Sequence, residues 1–184
     1  MRHFLDGLYR VAEWMAMGAL CAVALLVFAQ VGGRVFDSLL TFAGGSPYGF
    51  LVPSLAEIAG FLLVGASFLA LAGSFRAGSH IRVTLALMNL PEPVRRASET
   101  AALAAATFLA GLLAWYTTML AWDSYVYGEK SFGIIAVPLS LPQGVMALGA
   151  IIFAVATADD LIATLRGGRP TSIAKEEEGA GEVA

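Results

Sequence analysis

Four long apolar stretches dominate the sequence. They run from Trp14 to Val31, Leu51 to Phe75, Ala101 to Trp122 and Val145 to Ala158. A helix needs about 20 predominantly apolar residues to cross the hydrocarbon layer of a bilayer. The pattern therefore predicts an all-α integral membrane protein with four transmembrane helices. The predicted spans are approximately residues 12–34, 53–75, 99–122 and 139–162.

Two shorter apolar segments accompany these spans. Ahead of the first span, Phe4, Leu5, Leu8 and Val11 recur at helical spacing. This segment is either a short helix lying along the lipid headgroups or an extension of the first span, and we weigh the two equally. After the second span, Val83 to Leu90 is too short to cross and predicts a short interfacial segment.

The segments between and after the spans contain polar and helix-breaking residues. Glycine and proline are concentrated from Asp37 to Pro53 and from Asp123 to Pro142, which predicts two loops. Residues 167–184 have too little apolar content to fold alone. We therefore expect residues 1–166 to form one four-helix membrane domain and residues 167–184 to form a disordered acidic cytoplasmic tail.

The composition supports insertion in a membrane. The chain is 58% hydrophobic and 14% charged, whereas soluble domains are about half apolar and about a quarter charged. The formal net charge is -3, so no basic surface for nucleic acid is expected. The single cysteine, Cys21, excludes a disulfide framework within the chain.

The distribution of lysine and arginine predicts the orientation, because cytoplasmic loops are enriched in these residues. The segment before the first span, the central loop and the tail hold nine of them, whereas the other two loops hold only Arg34 and Lys130. We therefore predict that both termini are cytoplasmic. The nine residues are Arg2, Arg10, Arg76, Arg82, Arg95, Arg96, Arg166, Arg169 and Lys175.

The spans contain little material for catalysis or cofactor binding. Both histidines, His3 and His80, lie outside the predicted spans, which argues against haem ligation between helices. Ser67 and Ser74 have no base within the spans and are expected to hydrogen-bond to their own helix. No nucleotide-binding glycine loop is present. We therefore expect no enzyme activity, no cofactor and no metal.

Glu57 is the most informative charge, because an ionisable group within an apolar span is costly and often functional. Its expected partner is Arg34, since both lie near the non-cytoplasmic ends of adjacent spans. An ion pair between the spans is the favoured interpretation, and ion or proton coupling is the alternative. The segment containing Arg76, His80 and Arg82 is first interpreted as a basic loop at the lipid headgroups.

Small residues recur every four positions in two of the spans, an arrangement that lets helices approach closely in lipid. The rows serve packing within the chain or a contact with a partner, and the sequence does not separate these alternatives. The rows are Ala102, Ala106, Ala110 and Ala114, and Ala150, Ala154 and Ala158.

Several segments together resemble the small membrane subunit of tripartite ATP-independent periplasmic (TRAP) transporters, the DctQ-like or Q subunit. The most specific is the string from Gly78 to Val83 after the second span. Two features depart from the DctQ pattern: Thr84 stands where an acidic residue often follows the valine, and the first loop is longer than in the shortest members. These departures leave the subfamily and the substrate open. The segments are Gln30 to Phe36, Glu57 to Ala66, Gly78 to Val83, Leu90 and Pro91, Gly128 to Ser131, and Val137 to Gly149.

The resemblance implies a small permease subunit in a bacterial inner membrane. It would scaffold a large membrane subunit that takes up an organic acid, driven by an ion gradient and delivered by a periplasmic binding protein. The implied partners are the large subunit, the binding protein and membrane lipids. Seven residues are candidates for structural or inter-subunit roles: Arg34, Glu57, Arg76, His80, Arg82, Glu129 and Lys130.

Three other functions compete with this hypothesis. A self-sufficient small oligomeric transporter would need polar residues lining several spans, and only Glu57 and Gln30 qualify. A membrane enzyme or redox anchor would need histidines or paired carboxylates within the spans. A membrane assembly factor for another complex is separated from the transporter subunit only by the family resemblance.

Overall fold

The described part of the chain consists of four long helices. A computed structural model describes residues 2–77 and 91–166, and each of its four helices is long and apolar enough to cross a bilayer. The predicted four-helix class is therefore confirmed. His80, Arg82, the predicted interfacial segment and the predicted tail lie outside the described residues. The helices are α1 (Arg2–Phe42), α2 (Leu55–Arg76), α3 (Glu92–Val126) and α4 (Ser140–Leu165).

The first helix decides between the two interpretations of the N-terminal segment. It runs without interruption over 41 residues, so the segment before the first span is an extension of that span rather than a separate helix. At about 1.5 Å per residue, α1 is roughly 60 Å long, about twice the thickness of the hydrocarbon layer. Part of α1 therefore lies beyond the hydrocarbon layer unless the helix is strongly tilted.

The predicted loop boundaries were wrong by several residues at both loops. Helix α1 continues through Asp37 to Phe42, and the chain first departs from the helix at Gly44, whose φ of 81° suits glycine. Helix α3 continues through Asp123 to Val126. The loops are therefore residues 43–54 and 127–139. Polar residues in the last helical turns led the sequence analysis to end both helices too early.

The helices pack side by side in the order α1, α2, α4, α3. Helix α2 packs on α1 and on α4, α3 packs along α4, and α1 meets α4 over only a short stretch. Within their most apolar windows, 39% of α4 but only 11% of α1 is buried in the chain. Helix α4 is thus central, and α1 is an edge helix with most of its apolar surface uncovered.

The buried core lies where α1 begins and α2 and α4 end, which we call the terminal end. Tyr9 and Ala12 of α1 meet Phe75 of α2 there, together with Ala156 of α4. The rings of Phe75 and Phe153 pack edge to face, with centroids 5.8 Å apart. The opposite end carries both described loops, and we call it the loop end. The four helices therefore alternate in direction.

Small residues allow the closest helix contacts within the chain. A Cβ added at Gly149 of α4 would lie 2.5 Å from the backbone carbon of Phe68 and 2.8 Å from the nitrogen of Leu69. Ala150 of α4 and Ala110 of α3 are also buried within the chain. These two members of the predicted alanine rows thus serve internal packing, while Ala102 is exposed.

Candidate functional sites at the two ends of the bundle

The loop of residues 43–54 is attached to α1 by two polar side chains. Both carboxylate oxygens of Asp37 accept backbone N–H groups, from Tyr48 at 2.8 Å and from Gly49 at 2.9 Å. Gln30 is buried, and its Oε1 accepts the N–H of Val52 at 2.7 Å. The loop is therefore folded back along the end of α1 rather than extended away from it.

The loop of residues 127–139 forms a compact hydrogen-bonded turn. Glu129 accepts the N–H of Leu139 at its carbonyl and the hydroxyl proton of Ser124 at Oε2, 2.6 Å away. Ser131 donates its N–H to the carbonyl of Val137, and its hydroxyl accepts the N–H of Val137 at 3.0 Å. These bonds hold the apolar tip of the loop outward, where Phe132 and Ile134 are exposed.

The start of α2 is attached to this second loop. The hydroxyl of Ser54 accepts the N–H of Ile135 at 2.9 Å. The carboxylate of Glu57 lies against Gly133, where it occupies the space that any side chain would fill. Glu57 therefore packs on the loop between α3 and α4.

The predicted ion pair between Arg34 and Glu57 is not formed. Both residues lie in the described ranges, yet neither takes part in an ion pair there, and Glu57 Oε2 is buried without a hydrogen-bond partner. Arg34 lies on the exposed surface of α1. Both residues lie toward the loop end, but Arg34 is exposed on α1 whereas Glu57 faces Gly133 of the second loop.

The terminal end has its own polar cluster, centred on Arg76. The Arg76 guanidinium donates a hydrogen bond to Asp6 of α1 and lies over the ring of Tyr9, with Cζ 4.7 Å from the ring centroid. This cluster therefore joins α1 to α2 through charge, while α4 joins the same end through packing.

Of the seven candidate residues, the structure brings Arg76 into the terminal cluster and Glu57 and Glu129 into the loop contacts. Arg34 and Lys130 are exposed, and His80 and Arg82 lie outside the described ranges. Ser54, Asp6 and Tyr9 were not among the predicted site residues. Ser54 carried a detectable signal, because Ser-x-x-Glu before an apolar run is the pattern of a helix N-terminal cap.

Between the two ends, side-chain hydroxyls bond to their own helices. Ser67 donates to the carbonyl of Leu63 as predicted, whereas Ser74, which is also among the described residues, does not form the bond predicted for it. Four threonines of α3 and α4 also donate to carbonyls three or four positions earlier. Within residues 2–77 and 91–166 no group of three acidic, histidine or cysteine residues is placed to hold a metal. The threonines are Thr107, Thr117, Thr118 and Thr157.

Comparison with protein families decides what kind of protein this is. Residues 23–167 match the family described as tripartite ATP-independent periplasmic transporters, DctQ component. The chain belongs to the DctQ family. The match includes about the second half of α1, all of α2, α3 and α4, and both loops. The DctQ family supplies a component of TRAP transporters, so this DctQ-family chain is a multi-pass membrane protein of a transport system. A comparison with curated proteins gave no match.

Proposed function

We propose that the chain is the small permease subunit of a TRAP-type secondary transporter and acts as a scaffold for the large membrane subunit. That subunit would take up an organic acid, delivered by a periplasmic binding protein and driven by an ion gradient. The DctQ match carries the proposal.

The chemistry of the spans supports a scaffold over a self-sufficient transporter. A transport pathway needs polar groups facing a common space. In the described spans, the hydroxyls of Ser67, Thr117 and Thr157 donate to carbonyls of their own helices. Ionic side chains of α1 and α2 meet at the terminal end, where Arg76 pairs with Asp6 and Glu13 lies against Gly73. Glu57 instead packs on the loop of residues 127–139 at the loop end.

The exposed surfaces of the edge helices provide area for a large membrane partner. Apolar side chains are exposed along nearly the whole of α1 and along α3. In a bilayer, such faces meet either lipid or another protein. We propose that one of them packs lengthwise on the large subunit. The exposed residues are Trp14, Leu25, Phe28, Val35 and Leu39 on α1 and Phe108, Trp115 and Trp122 on α3.

Co-purification tests the scaffold role. We expect a tagged copy, extracted gently from its native host, to bring down one large polytopic membrane protein in stoichiometric amount, identified by mass spectrometry. A second expected component, at lower occupancy, is a periplasmic binding protein. Recovery of the chain alone as a stable homo-oligomer would contradict the proposal and favour a self-sufficient transporter.

We further propose that the terminal end is cytoplasmic and the loop end periplasmic, in a bacterial inner membrane. The nine-to-two division of lysine and arginine supports this orientation. The two loops are then candidates for contact with the binding protein. Glu129 is engaged by Ser124, whereas Lys130 is exposed and is the better candidate for an intermolecular contact.

Cysteine labelling tests orientation and docking together. With Cys21→Ser as background, we expect Lys130→Cys in spheroplasts to react with a membrane-impermeant maleimide, and added substrate-loaded binding protein to slow that reaction severalfold. The matched control, Arg166→Cys at the exposed end of α4, should react only after permeabilisation. Reaction of Arg166→Cys in sealed spheroplasts would overturn the orientation, and an unprotected Lys130→Cys would overturn docking at this position.

A further inference from the structure

Ser54 has an unusual backbone conformation. Its φ of 54° and ψ of 25° lie in the left-handed region, which residues other than glycine rarely adopt. Among the described residues it is the one non-glycine residue with a positive φ. Residues at the N-cap of a helix normally have extended backbone angles instead. The start of α2 is therefore held in a conformation that its own helix does not require.

The sequence at this point suits a different arrangement. Ser54 and Glu57 have the spacing of a capping box, in which the serine hydroxyl accepts the N–H of the glutamate and the glutamate carboxylate accepts the N–H of the serine. Neither bond exists in the structure. The Ser54 side chain makes no cap hydrogen bond, and Glu57 Oε2 is buried with no partner.

Both side chains are engaged by the loop between α3 and α4 instead. The hydroxyl of Ser54 accepts the N–H of Ile135 at 2.9 Å. A Cβ added at Gly133 would lie 2.6 Å from Ser54 Oγ and would overlap the Glu57 carboxylate. Glycine at position 133 thus lets the loop approach the two groups that would otherwise cap α2.

We propose that Ser54 and Glu57 form a capping switch that controls the attachment of the loop of residues 127–139. In the docked state described here, Ser54 holds Ile135 and the capping box is open. In the capped state, Ser54 returns to extended angles, its hydroxyl accepts the N–H of Glu57, and Glu57 accepts the N–H of Ser54. The two states exclude each other because they require different backbone angles at Ser54.

Each of the two states pairs a hydrogen-bonding group that the other state leaves without a partner. The docked state bonds the N–H of Ile135 but leaves Glu57 Oε2 without a donor and Ser54 in the left-handed region. The capped state relieves both of these costs and leaves Ile135 to water. Release of the loop would move its exposed apolar tip, Phe132 and Ile134. A role for that movement in binding the periplasmic binding protein rests on the proposed function. The switch itself rests only on the geometry of Ser54, Glu57 and the loop.

Hydrogen exchange of the full-length chain in lipid nanodiscs tests the switch, with the peptide containing Ile135 as the reporter. Ser54→Ala removes the acceptor of the docked state, so exchange should become about fivefold faster, the size expected for one net hydrogen bond. Glu57→Met keeps a similar length but cannot form the capping box. Glu57→Met should make exchange about threefold slower, because the capped state loses the hydrogen bonds of the capping box. Faster exchange in Ser54→Ala together with slower exchange in Glu57→Met is the result expected if the docked and capped states compete.

Two further variants serve as controls. Glu57→Gln retains the capping pattern and should exchange like the wild type, as should Ser67→Ala, whose hydroxyl bonds only within α2. If Ser54→Ala does not fold, Ser54→Gly adopts a positive φ freely and should show the same acceleration. Exchange that is unchanged in the Ser54 variants, or not slowed in Glu57→Met, would overturn the proposal. Because no partner is needed, failure here leaves the transporter role untouched.

Discussion

Gly149→Ala is expected to lower the free energy of unfolding by about 1–3 kcal/mol, the usual cost of an overpacked contact. An added Cβ would lie 2.5 and 2.6 Å from the carbonyl carbon and oxygen of Phe68 and 2.8 Å from the nitrogen of Leu69. These are backbone atoms, so no side-chain rotation relieves the overlap. Helices α2 and α4 must separate, and α4 is the helix on which both α2 and α3 pack.

Thermal unfolding of the full-length chain in mild detergent measures this effect. Gly144→Ala is a matched control on the same helix, because a Cβ there meets nothing within 4 Å. That variant should be neutral or gain up to about 1 kcal/mol from the better helix propensity of alanine. Equal stability of the two variants would show that α2 and α4 do not approach as closely as described.

Asp6→Asn is expected to cost roughly 1.5–3 kcal/mol, the range for a hydrogen bond to a charged group. Its partner Arg76 is only 17% exposed at the side chain, whereas Asp6 is 46% exposed. Loss of the carboxylate charge therefore removes the ionic partner of Arg76, the more buried member of the pair. In Arg76→Gln, the Asp6 carboxylate that loses its partner is exposed enough to be solvated by water, so breaking the ion pair costs less in this variant. The same substitution also removes the contact of Arg76 with the Tyr9 ring.

A double-mutant cycle isolates the pair. The cost of Asp6→Asn combined with Arg76→Gln should fall short of the sum of the single costs by about 1 kcal/mol, within the range seen for directly interacting residues. Arg34→Gln is the matched control, because Arg34 is exposed and should change stability by less than about 0.5 kcal/mol. Additive costs of the two variants would contradict a direct interaction between α1 and α2 at this position.

Two predictions at the loop end were wrong because a local pattern does not show which neighbours a polar side chain contacts. Asp37 suggested the start of a loop because it is polar, but it is helical and uses its carboxylate to hold Tyr48 and Gly49. Arg34 and Glu57 were expected to pair because their spans are adjacent and their depths agree. Depth follows from position along the chain, whereas pairing also requires that the two side chains face each other.

The sequence by itself determined the number of spans and their alternation in direction, because a span depends on the summed hydropathy of one local segment. It also determined the family, because the resemblance rests on short strings of residues. Only the tertiary structure decided the order α1, α2, α4, α3, the partner of Arg76 and the diversion of Ser54 from its own helix to Ile135. Each of these depends on how helices distant in the chain rotate and approach. Residues such as Gly149 and Gly133 set that approach through space that no local pattern reveals.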